Sequence, residues 1–256
     1  MEPLINENQI KIGVLALQGG FREHVNMIKS IKHCFSECEN KFKYSIIVEE
    51  VKSVSDIKKL NPHGMILPGG ESTSMAIIAS GNDDENIFTF LKDYLKQGHF
   101  IWGTCAGSIM LSNKVDGQKI GGQSLIGGLD VLISRNYFGR QIDSFETKIN
   151  LNLKYGKNNN NNNNNININS VLSLENFEAI FIRAPAILDI LDKENVEIIG
   201  DFIVTKKDGT KEKVITAVKQ NNIIASVFHP ELTNDNRFHK YFVQLVLNNH
   251  LTKINI

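Results

Sequence analysis

Within its first 110 residues the chain repeats one arrangement: a short apolar run, a glycine-rich corner, then helical spacing. "KIGVLAL" (Lys11 to Leu17) ends in "QGG" and leads into "FREHVNMIKSIKHCF", where Val25, Ile28 and Ile31 share one side. "GMIL" runs into "PGGEST", and "HFIWGT" runs into "CAGSIMLS". Brief apolar runs bounded by turn residues read as buried strands. Strands alternating with helices make βαβ units and a mostly parallel sheet. In such a sheet the functional loops lie at the carboxyl ends of the strands. "QGG", "PGGES" and "GTCAG" occupy that position.

Other elements fit the same plan. "YSIIVEEV" reads as a second strand, and "NIFTFLKDYLKQG" as an amphipathic helix stopped by Gly98. Ser72 or Thr73 is placed to cap a helix starting near Met75. The second half is richer in strands: "GLDVLISRN", "SFETKINLNL", "FEAIFIRAP", "VITAVKQ" and "NIIASVF". The last two flank Gln220-Asn221-Asn222 and predict a hairpin. A helix from Asp235 to Asn248 closes the chain. The expected fold class is α/β, a mostly parallel central sheet flanked by helices, with additional antiparallel strands in the second half. The 256 residues are ample for one domain spanning 1–256.

One segment departs from this pattern. Asn158 to Asn165 is an unbroken asparagine run, continued by alternating Ile and Asn. It buries too little apolar surface to offset its ordering entropy, so residues 156–170 are expected to form a disordered surface insert between two strands.

Lys+Arg and Asp+Glu both number 28, which leaves no global field for nucleic acid. No apolar run approaches the roughly 20 residues that span a bilayer. The N-terminus "MEPLINENQI" lacks a basic and then apolar leader. With three cysteines (Cys34, Cys38, Cys105), a reducing, cytoplasmic setting is expected. Cys34 and Cys38 stand four apart beside His33, but a second ligand pair is missing, so they read as helix packing and no metal is expected. "GGQSLIGG" lacks the strand and helix context of a dinucleotide loop and reads as a plain loop, with no cofactor implied.

The chemistry centres on Gly103-Thr104-Cys105-Ala106-Gly107. A sharp strand-to-helix corner lifts its central residue out of the sheet, and small flanking residues let strand and helix approach. At a helix start, the dipole favours a thiolate on Cys105, and the Ala106 N–H points where an oxyanion would form. A packed structural thiol is the competing reading. A cysteine nucleophile needs a base, and His229 ends the apolar strand of "NIIASVFHPEL". Pro230 biases His229 toward extended backbone. Glu231 would then project to the same side, able to orient the imidazole. In "LPGGES" the consecutive glycines let backbone approach a substrate, which makes the Gly70 N–H a second oxyanion donor.

"LPGGES", "GTCAG" and "FHPE", in that order, resemble a class I glutamine amidotransferase domain of flavodoxin-like architecture with a Cys-His-Glu triad. More narrowly, "GVLALQGGFREH", "WGTCAGSIM", "SRNYFGRQIDSFE", "FIRAP" and "FHPELTNDNR" are similar to the glutaminase subunits of pyridoxal 5′-phosphate synthases. The likeness covers nearly the whole chain except the asparagine insert and the extreme ends. It implies hydrolysis of L-glutamine to glutamate and ammonia by Cys105, His229 and Glu231. It also implies glutamine binding by Gly70, Glu71, Ser72, Arg135, Ile182 and Arg183. Arg140 lies in the same motif as Arg135 without an assigned role. The implied partner is a separate (β/α)₈-barrel synthase subunit that takes up the ammonia. Gln18, Gly19 and Gly20 end the first strand, and are expected to couple docking of that partner to formation of the oxyanion hole. Three alternatives share the corner: an amidotransferase subunit serving another synthase, a cysteine peptidase or γ-glutamyl hydrolase, and a non-catalytic module with Cys105 as redox sensor.

Overall fold

The structure is a computed structural model describing residues 9–31, 44–81, 86–117, 123–135, 137, 144–154, 171–205 and 209–254. The asparagine insert, His33, Cys34, Cys38 and Arg140 lie outside these residues.

Five strands form the parallel half of one sheet in the order β2 (Ser45–Val51), β1 (Gln9–Leu15), β3 (Gly64–Leu67), β4 (Phe100–Thr104) and β12 (Ile223–Ser226). All four residues of β3 and of β12 are buried, as expected of strands covered on both faces. The sheet continues antiparallel through β11 (Lys211–Gln220), β10 (Val196–Thr205), β7 (Ser144–Lys154) and β8 (Val171–Ile182). A side branch of β5 (Ser112–Asp116), β6 (Leu129–Ser134) and β9 (Ala186–Ile190) joins at β11. The α/β class is as expected. The β11–β12 hairpin forms with Asn221 at φ 51, a conformation asparagine tolerates. Lys154 of β7 faces Val171 of β8, so the asparagine run connects neighbouring strand ends.

Helices α1 (Phe21–Ser30), α2 (Val54–Leu60), α3 (Ser72–Ser80), α4 (Ile87–Lys96), α5 (Ala106–Leu111) and α6 (Arg237–Ile254) complete the layers. The short α2 is not among the expected elements. Ser53 accepts from Asp56 N–H at its start, and apolar Val54, Ile57 and Leu60 face inward. Trp102 and Gly103 are adjacent in β4 and therefore face opposite ways. Trp102 packs on Phe238 of α6 with ring centroids 4.7 Å apart, whereas Gly103 abuts Gly107 of α5. Helices α6 and α5 thus cover opposite faces. Burying Trp102 completely contributes on the order of 3 kcal/mol to the core. No helix of the described residues is long and apolar enough to cross a membrane.

This topology sends four chain segments out of one edge of the parallel half. Gln18 to Gly20 follow β1, Gly69 to Glu71 follow β3, Cys105 follows β4, and His229 follows β12.

Candidate active site

Cys105 caps α5 with φ 46 and ψ −106, a conformation that L-residues rarely adopt. The surroundings hold it there. Its N–H donates to Ser226 O at 2.8 Å, and its carbonyl accepts from Ser108 Oγ at 2.6 Å. The flanking glycines are required by contact. A Cβ on Gly107 would stand 1.9 Å from Leu67 O, and one on Gly103 would stand 2.5 Å from the Gly107 carbonyl. The corner expected from "GTCAG" therefore forms, and close backbone packing explains its small residues.

His229 is fixed by its own N–H, which donates to Ile180 O at 2.8 Å. Its Nδ1 lies 2.8 Å from Glu231 Oε1. The route to that contact differs from expectation. Pro230–Leu232 form a 3₁₀ turn instead of extended chain, and this turn brings the carboxylate back to Nδ1 of the ring. Glu231 is 4% exposed. Burial disfavours a charged His229, but its hydrogen bonds and charge interactions with Cys105 and Glu231 outweigh this and raise its pKa to about 10. The ring is thus an imidazolium at neutral pH, its charge favoured by both Cys105 and Glu231.

The "PGGES" and "QGG" loops close over this pair. A Cβ on Gly69 would come within 2.4 Å of His229 Cε1 and 3.2 Å of Cys105 Cβ, so Gly69 is a site residue that sequence reading missed. Gly19, at φ 80, lies against the Gly69 carbonyl, and Gly20 against the Glu231 carboxylate. Gln18 Oε1 accepts from Glu71 N–H at 3.1 Å. The cap of α3 is Glu71, not Ser72 or Thr73, and the helix starts at Ser72. The carboxylate of Glu71 accepts from Ser74 Oγ at 2.7 Å and from the N–H groups of Thr73 and Ser74. These bonds, with the Ser74 hydroxyl foremost, hold its pKa down at about 2. Glu71 therefore meets the cavity with a carboxylate already engaged by the helix.

A cavity of about 560 Å³ opens above Cys105. Gln18, Gly19, Gly70, Glu71, Ser72, Ala106, Arg135, Ile182, Arg183 and His229 all border it. Arg183 adopts φ 41, which turns the "FIRAP" corner toward the opening. Arg135 Nη2 donates to Gln123 Oε1 at 2.6 Å, and Ser72 Oγ donates to the same oxygen at 3.0 Å. Gln123 comes from the "GGQSLIGG" loop read as featureless, and its amide ties Arg135 to the start of α3. Ile109 and Pro185 also line the cavity without having been singled out. Every position expected to contact glutamine thus borders one cavity, with room for an amino acid.

The sequence profile of the SNO glutamine amidotransferase family matches residues 14–248. A Dictyostelium discoideum protein named "Probable pyridoxal 5'-phosphate synthase subunit pdx2" is 85% identical over 257 residues, covering 100% of both chains. An Arabidopsis thaliana protein named "Probable pyridoxal 5'-phosphate synthase subunit PDX2" is 37% identical over 252 residues, 91% of this chain and 85% of that one. A solved structure described as "Crystal structure of glutamine amidotransferase" aligns with TM-score 0.66 and 30% identity, over 92% of this chain and 98% of that one. The matched span contains strands β2 to β12, the cysteine corner and the His-Pro-Glu turn together, and the chain belongs to the SNO glutamine amidotransferase family.

Proposed function

We propose that this chain is the glutaminase subunit of a pyridoxal 5′-phosphate synthase, hydrolysing L-glutamine to L-glutamate and ammonia. The observation that carries this reading is that Cys105 and His229 border one cavity of about 560 Å³, with the buried Glu231 holding His229 Nδ1 at 2.8 Å. Its relatives' names supply the synthase.

The geometry supports a two-step route. The Cys105 sulfur attacks the glutamine side-chain carbonyl carbon, and the negative oxygen is met by the N–H groups of Gly70 and Ala106. His229 gives its proton to the departing nitrogen, which leaves as ammonia and a thioester remains. A water then attacks the thioester while His229 takes up its proton. The C–S bond breaks, and glutamate and the Cys105 thiolate are restored. Glu231 holds His229 through Nδ1 throughout. Arg135 and Arg183 offer charge-assisted hydrogen bonds to the amino-acid carboxylate, while Ile182, Glu71 and Ser72 shape the wall.

The partner is taken to be a (β/α)₈-barrel synthase subunit that receives the ammonia, and the compartment the cytoplasm. Because Gln18 and Gly19 touch the loop bearing Gly70, we assign the Gln18–Gly20 loop to the coupling of docking with the oxyanion hole. The test is a glutaminase assay of wild type and Cys105→Ala, each with and without the synthase subunit. Activity surviving the substitution overturns the nucleophile. Full activity without the partner overturns the coupling.

A further inference from the structure

Arg135 borders the cavity above Cys105, and its side-chain partners among the described residues are two neutral oxygens. Nη2 donates to Gln123 Oε1 at 2.6 Å, and Nη1 donates to Thr73 Oγ1 at 3.4 Å. Nε is buried and has no partner among the described residues. No carboxylate among them forms an ion pair with this half-buried guanidinium.

Gln123 is the shorter and stronger of the two anchors. A guanidinium can only donate, so the atom that faces it at 2.6 Å is the amide oxygen and not the amide nitrogen. The same oxygen accepts from Ser72 Oγ at 3.0 Å and from Thr73 Oγ1 at 3.4 Å. It therefore fastens Arg135, just past β6, to the first turn of α3. Gln123 itself is not part of the cavity wall.

A glutamate in this place would reach as far and would make a stronger, charge-assisted bond. It would also neutralise the arginine. A guanidinium already paired with a carboxylate attracts a second one much less, because the two negative charges oppose each other. A neutral acceptor fixes the orientation of Arg135 and leaves its charge uncompensated, which suits an arginine that has to recognise an incoming anion.

We propose that Gln123 is a positioning and specificity-determining residue of this site: its neutral amide oxygen locks Arg135 against α3 while keeping the guanidinium charge available to the α-carboxylate of glutamine. This rests on the glutaminase reading. Gln123 acts through Arg135 and does not touch the reacting atoms.

The test uses the chain in complex with its synthase subunit. Gln123→Glu keeps the length and the acceptor but pairs with Arg135. We expect the KM for glutamine to rise at least about tenfold, the order expected when a hydrogen bond to a charged group is lost. The kcat should stay within about threefold, since Cys105 and His229 are untouched. 4-Aminobutanamide, which is glutamine without its carboxylate, separates the reading of charge from general damage. The preference for glutamine over this analogue, taken as a ratio of kcat/KM, should fall about tenfold in Gln123→Glu. Gln123→Met fills similar space without the acceptor, and should lower the preference about fivefold by loosening Arg135. A residue that only packed its loop would leave the preference at the wild-type value in both. An unchanged preference in folded Gln123→Glu overturns the proposal, and where that variant does not fold, an unchanged preference in Gln123→Met does so. Cys105→Ala is assayed in parallel. If turnover survives there, the glutaminase reading fails. Calorimetric binding of L-glutamine to the Cys105→Ala complex, with and without Gln123→Glu, still tests the anchor: equal affinity overturns it, and binding about tenfold weaker supports it.

Discussion

Gly69 has no room for a side chain because His229 occupies it: a Cβ there would stand 2.4 Å from Cε1 and 3.1 Å from Nδ1 of that ring. Gly69→Ala must therefore displace either the imidazole or the loop bearing the proposed oxyanion donor. A misplacement of about 1 Å can cost on the order of a hundredfold in rate. We expect kcat/KM for glutamine to fall by about that factor, with a stability loss of about 1–3 kcal/mol from overpacking. Steady-state kinetics beside thermal unfolding measures both. Wild-type kinetics in this variant would mean that His229 does not lie over Gly69 in solution.

The strain at Cys105 is separable from its chemistry. A non-glycine residue at φ 46 and ψ −106 costs about 1–3 kcal/mol. Glycine removes that strain but loses about 0.4–1 kcal/mol through greater freedom of the unfolded chain. Cys105→Gly should thus be more stable than Cys105→Ala by about 1 kcal/mol, a difference of about 2–4 °C in Tm for a chain of this size. Both should lack glutaminase activity. Equal Tm values in calorimetry would show that the corner relaxes without cost.

His229 should remain an imidazolium well above neutral pH. Its folded-state pKa of about 10 stands above the ordinary 6.5. The stability contributed by the charged ring is therefore complete below about pH 6.5 and is lost as pH rises through about 10. The same proton serves the leaving ammonia, so kcat should fall on that alkaline limb. Histidine NMR across pH 6 to 11, on protein with Cys105 intact, follows the ring directly. A midpoint near 6.5 would remove the ion-pair account of the nucleophile.

The site's local parts were legible in the sequence because each lies within a few residues of a strand end. "GTCAG", "PGGES" and the His-Pro-Glu turn announce themselves through glycine, proline and spacing. What was hidden depends on contacts between distant segments. Gln123 gave no signal, since its partners Arg135 and Ser72 meet it only through the fold. Glu71 is hard to read as a helix cap because Ser and Thr are the usual choices, whereas its longer carboxylate reaches two N–H groups and a hydroxyl. "SVSDIKKL" carried the capping signal for α2, but a helix so short lacks the repeated periodicity that draws attention.

The grip of Gln18 on Glu71 makes the coupling idea measurable. Gln18 Oε1 accepts from Glu71 N–H at 3.1 Å, and Gly19 rests on the Gly69 carbonyl, so the β1 loop and the "PGGES" loop are in direct contact. If docking of the synthase subunit reaches the oxyanion donors through the β1 loop, losing this hydrogen bond should weaken the transmission more than the chemistry. A typical net hydrogen bond is worth about 1 kcal/mol, or roughly fivefold in a ratio of rates. Gln18→Ala should therefore lower the stimulation of glutaminase by the synthase subunit about fivefold, with the unstimulated rate changed less. The readout is the ratio of kcat with and without saturating partner, with partner affinity measured separately by calorimetry. Unaltered stimulation at saturation would show that the signal bypasses Gln18. Restored stimulation in Gln18→Asn, whose shorter amide keeps the oxygen but not its reach, would place the coupling in the loop backbone instead.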